Sequence, residues 1–138
     1  MKPKPNPIVK PFKQRSSVLK HHEVGPGTRW VFMQGDMVPG AEIYQIVRRV
    51  EGVAAPPEPY IDSHKHTVPS LYSFIGIDDD LTGLEAEVTL DGTSYIVSSP
   101  GSVYIPAETM HTYRILSGTG FFVHTVCHAN YDDSLGEH

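Results

Sequence analysis

Apolar and polar side chains alternate in short runs along most of this chain. The cleanest run places Leu84, Ala86, Val88 and Leu90 on one side and Glu85, Glu87 and Thr89 on the other. A period of two marks a strand with one buried face. Asp91 and Gly92 follow, a strong signal for a tight hairpin turn, and Thr93 to Ser98 forms the return strand. Thr28 to Met33, Glu42 to Val50, Ser70 to Ile77, Ser102 to Ile105, His111 to Leu116 and Phe121 to Cys127 are further strand candidates, rich in β-branched and aromatic residues. Gly35–Asp36, Pro39–Gly40 and Pro100–Gly101 mark turns, and Gly118 and Gly120 separate the last two strands. About nine short strands with no helical periodicity predict an all-β antiparallel sandwich or small barrel.

Twelve glycines and twelve prolines in 138 residues fit that frequent punctuation, and the length suits one domain. Six of the eleven Lys/Arg fall within residues 1–20, which contain none of the sixteen Asp/Glu. Pro3, Pro5, Pro7 and Pro11 exclude a helix there and predict an extended basic arm. Residues 21–127 are expected to form the barrel, and residues 128–138 an acidic polar tail. The acidic body, with a net charge of −5, argues against nucleic-acid binding. No apolar run is long enough to span a membrane, and no signal-peptide core is present. Cys127 is the single cysteine, so no internal disulfide forms; it is expected to be a buried, inert thiol. A cytoplasmic protein is expected.

His64 and His66 are two apart, so on an extended segment both imidazoles point to one face and can grip one metal ion. His111 follows a proline-led turn that begins at Pro106, and enters a new strand. These three are the candidate metal ligands. The adjacent His21 and His22 point to opposite faces and are expected at the surface; Asp78, Asp79 and Asp80 lack calcium-loop spacing and read as a solvated turn.

From about residue 40 to 127 the chain resembles the cupins. Their first motif sets a histidine pair before an acid and then a glycine; here His64 and His66 precede Ser70, where the acid would fall, and Gly76. Their second motif is matched by Gly101, Pro106 and His111, with Glu108 where glycine is usual and Ile115 in place of asparagine. The resemblance implies a double-stranded β-helix, or jelly-roll barrel, around a divalent transition metal. It also implies a homodimer, for which the arm and its Ile8, Val9 and Phe12 would serve.

Ser70 removes the carboxylate of the usual ligand set, so three neutral histidines leave the ion its full charge and favour a small polar or anionic substrate. That set is similar to the three-histidine cupins, which implies ferrous iron and oxygenation first. Zinc or manganese with isomerase, lyase or biosynthetic chemistry comes next, and a non-catalytic ligand-binding module or a metal-free structural cupin are the further alternatives. Tyr72, Glu108 and His124 are the candidate catalytic residues. By parity Tyr72 shares the inward face with Ser70, His124 with Phe122 and Val126, and Tyr113 with His111, while Arg114 points outward.

Overall fold

The computed structural model describes residues 7–14, 27–54 and 63–128. His21, His22 and the tail beyond residue 128 lie outside these. The described residues form eight strands: β1 (Phe12–Lys13), β2 (Thr28–Met33), β3 (Tyr44–Val53), β4 (Ser70–Gly76), β5 (Leu84–Leu90), β6 (Thr93–Ser98), β7 (Gly101–Ile105) and β8 (His111–Val126). None of them is helical, so no helix among them is long and apolar enough to cross a membrane.

All pairings are antiparallel. One path runs β1-β2-β3-β8-β4-β7, while β5 pairs with β8 and with β6. β8 joins the two layers. Its second half lies between β3 and β4, and its first half runs along β5. The alternation expected for β5 is observed, with Leu84, Ala86 and Val88 buried. The turn to β6 has positive φ at both Asp91 (46°) and Gly92 (83°), the backbone a two-residue hairpin of type I′ requires.

Two expectations are corrected. The final two strands are one 16-residue strand, β8. Gly118 and Gly120 bend it rather than end it, and the pairing with β5 slips near that bend. The inward face changes parity across the bend: His111, Tyr113 and Ile115 are buried before it, and Phe122, His124 and Val126 after it. Cys127 is exposed, because β8 ends at Val126 and the chain leaves the barrel there.

The core fills the space between the layers. Tyr72 and Phe74 of β4, Tyr113, Ile115, Phe122 and Val126 of β8, Val31 of β2, and Tyr44, Ile46 and Val50 of β3 meet the buried face of β5. Tyr113 and Phe122, from the two halves of β8, stack at 3.9 Å between ring centroids. The bend in β8 therefore brings its two inward faces together.

Candidate metal centre

The first histidine is placed by backbone pairing. His64 forms an isolated antiparallel bridge with His111: the His64 N–H donates to the His111 carbonyl at 3.0 Å, and the His111 N–H to the His64 carbonyl at 2.7 Å. Residues paired in this way carry their side chains on one face. His66, two residues on, keeps that face, and its carbonyl accepts from the Glu108 N–H at 2.8 Å. The turn before β8 is fixed at its other end by Asp91, whose carboxylate accepts from the Met110 N–H at 2.9 Å. Two segments far apart in sequence are thus hydrogen-bonded side by side.

Ring centroids are 5.2 Å apart for His64 and His66, 4.6 Å for His64 and His111, and 5.0 Å for His66 and His111. All three residues are buried, and one ligand nitrogen of each lies within 4.8 Å of the others. No Asp, Glu or Cys joins the group among the described residues. At position 70 the side chain is a serine, buried, with no hydrogen-bond partner for its Oγ among the described residues.

The donor set fits a divalent transition metal. His111 Nδ1 lies 2.9 Å from the Thr109 carbonyl, which can only accept, so the proton sits on Nδ1. That leaves the lone pair on Nε2, which is buried without a hydrogen-bond partner among the described residues. A second-atom hydrogen bond of this kind fixes a metal-binding imidazole in its ligating tautomer. Burial, and then the neighbouring His111, His64 and His128, lower the pKa of His66 to about 2. Burial also lowers that of His111, against the opposing effects of the Thr109 carbonyl and Asp91. Both rings are therefore neutral at neutral pH, the form that ligates.

The other candidates divide. Tyr72 is buried with its ring 5.8 Å from His111 and 4.7 Å from His124. His124 is buried 5.7 Å from His66, opposite Tyr72 in the β4–β8 pairing. Glu108 is exposed, and its carboxylate turns to Lys65 at 3.2 Å. Its φ of +66° explains why glycine is usual at this place in the motif. Tyr113 is buried beside Tyr72, and Arg114 turns outward to Glu87 at 3.1 Å.

Sequence reasoning passed over Arg29, Arg48 and Tyr44. All three are buried on the inward faces of β2 and β3. The signal was present in the alternation of Tyr44, Ile46, Arg48 and Val50, where a charged residue occupies a core position.

The topology and this site can be set beside known structures. The chain aligns with an RmlC-like cupin from Shewanella frigidimarina at a TM-score of 0.50 and 16% identity, covering 81% of this chain and 85% of that one. KdgF from Halomonas sp. aligns at 0.50 and 16%, covering 77% and 81%. The chain has the cupin fold. Bacillus subtilis oxalate decarboxylase, a protein with Mn(II) centres, aligns at 0.54 and 16% over 93% of this chain; this chain spans about a third of its length, 32%. No family model and no curated protein matches the sequence, so the likeness is carried by the fold.

Proposed function

We propose that this cupin is a metal-dependent enzyme whose substrate is a small anionic molecule bound at the metal. The observation that carries the reading is the convergence of His64, His66 and His111, with no carboxylate joining them among the described residues. Three neutral imidazoles leave a divalent ion with its full charge, so an anionic or chelating ligand gains more there than at a site already holding a glutamate. A bound ferrous ion would supply oxygen activation, and zinc or manganese would supply Lewis acidity.

Iron-dependent oxygenation is the first assignment, because the ligand set lacks the acid. The second is redox-neutral chemistry on a small acid with zinc or manganese. The oxalate decarboxylase likeness favours it, since that protein has Mn(II) centres and a small dianionic substrate. In either case the chain's own residues bind and position. Tyr72 and His124 flank the cluster on its buried side, where a hydroxyl and an imidazole can hold a proton against the substrate. Glu108 faces solvent on Lys65 and contributes at the rim.

Elemental analysis of the purified protein, followed by oxygen uptake after ferrous loading across a panel of small organic acids, tests this. Wild type is expected to hold a single transition-metal ion per chain, and His64→Ala to lose most of it. Equally low metal in both proteins overturns the metal site. A metal-loaded protein that binds acids but turns over none of them, with or without oxygen, makes the cupin a binding module instead.

A further inference from the structure

His111 is held by its ring as well as by its main chain. Its Nδ1–H donates to the Thr109 carbonyl at 2.9 Å. That carbonyl belongs to the peptide group that joins Thr109 to Met110. The N–H of the same peptide group donates to Asp91 Oδ1, also at 2.9 Å. A single planar amide therefore links a carboxylate to the far side of a metal-ligand imidazole. Asp91 is itself fixed in place. Its own N–H donates to the Met110 carbonyl at 2.8 Å, and its neighbour Leu90 pairs with His111 across β5 and β8.

An amide passes polarisation from one end to the other, because its nitrogen lone pair is shared with the carbonyl. An anion that accepts from the N–H drives charge toward the carbonyl oxygen and makes it a stronger acceptor. A stronger acceptor at Nδ1–H leaves more electron density on Nε2, the atom that faces an ion. Burial lowers the pKa of His111, and the Thr109 carbonyl and then Asp91 oppose it, which agrees with an anion felt at the ring. Asp91 is exposed, so water screens its direct attraction for the cluster and the path through the amide gains in weight.

We propose that Asp91 is a positioning residue for the metal, acting through the Thr109–Met110 peptide and the His111 ring. The ligand set stays neutral, and the carboxylate strengthens one of its members from outside it. The inference rests on the metal-site reading and names what regulates the strength of that site. The competing explanation is that Asp91 only shapes the hairpin, where its φ is +46° before Gly92. A two-residue turn of this type accepts asparagine or glycine in the same place, so the two roles can be separated.

The test measures zinc affinity, by competition with a chromophoric chelator, in wild type, Asp91→Asn and Asp91→Gly. Asparagine keeps the turn and an oxygen acceptor but loses the charge. Glycine keeps the turn and loses both. The zinc dissociation constant is expected to rise about threefold or more with asparagine and about tenfold or more with glycine. Shaping a turn would not move the second readout, the His111 Nδ1–H proton resonance of metal-free protein labelled at its histidine nitrogens. That resonance should shift upfield in both variants as the hydrogen bond to Thr109 weakens. Unchanged zinc affinity in Asp91→Asn overturns the proposal. Weaker zinc binding with the resonance unmoved also overturns it and assigns Asp91 to the hairpin alone. Where Asp91→Asn does not fold, the same two outcomes are read from Asp91→Gly. Should wild type bind no zinc, the metal reading fails by itself. The link from Asp91 to His111 is then judged on the metal-free resonance, and an unmoved resonance overturns it.

Discussion

The burial of His66 sets the acid response of the ligand-free protein. Its pKa falls from 6.5 to about 2 on folding, first through desolvation and then through the neighbouring histidines. In the unfolded chain the same ring takes up a proton as the pH falls through 6.5. Between these values the unfolded state binds more protons, so stability is fully present above 6.5 and is lost as the pH falls. The slope approaches about 1.4 kcal/mol per pH unit for one such group, and His111, shifted in the same direction, adds to it. Urea midpoints of metal-free protein between pH about 7.5 and about 5 should decline steeply. His66→Asn, which has no titrating ring, should flatten that decline. Equal slopes in the two proteins would show that His66 keeps an ordinary pKa and is not buried as described.

At the scale of elements, β8 depends on residues without a Cβ. Gly118 has a φ of +105°, and a Cβ there would stand 2.0 Å from the Gly83 carbonyl oxygen. Gly92 has a similar φ of +83° but open space around it. Alanine at Gly92 therefore suffers only the backbone penalty, about 1 kcal/mol, whereas alanine at Gly118 must also displace main chain, for about 3 kcal/mol or more. Urea unfolding of the two variants checks the difference; equal losses would mean that β8 does not press on the Gly83 carbonyl. The same glycines explain what was legible beforehand. The alternation of Leu84 to Leu90 and the Asp91–Gly92 turn belong to local chemistry, and both were read at the right places. Gly118 and Gly120 carry the same local signal as a turn, and only contact with Gly83 and Ile75 shows that the strand continues through them. The three histidines were legible because spacing and parity are local, and the bridge that joins His64 to His111 then needs only the pairing of two extended segments. Arg29 and Arg48 were not, because a charged residue in an alternating strand is ordinarily assigned to solvent, and its burial appears only once β2 and β3 are closed into the barrel.

For the molecule as a whole, a metal held by His64, His66 and His111 would act as a cross-link between the segment leading into β4 and the start of β8. In its absence those pieces meet through the short bridge of His64 and His111 and the hydrogen bond from Glu108 to His66. An ion bound only by the folded arrangement stabilises it by mass action, about 2.7 kcal/mol when free metal exceeds its dissociation constant a hundredfold. Zinc should therefore raise the unfolding midpoint of wild type and leave that of His111→Ala unchanged. Global stability alone would not locate the effect, since any site on the folded protein raises the midpoint. Amide exchange does so. Chelation should speed exchange at the N–H groups of His64 and Glu108, which close the histidine segments together, and leave β6 unchanged, because among the described residues Thr93–Ser98 pairs only with β5. Faster exchange spread evenly over β6 and the histidine segments would place the metal's contribution in the fold at large and remove the cross-link from this account.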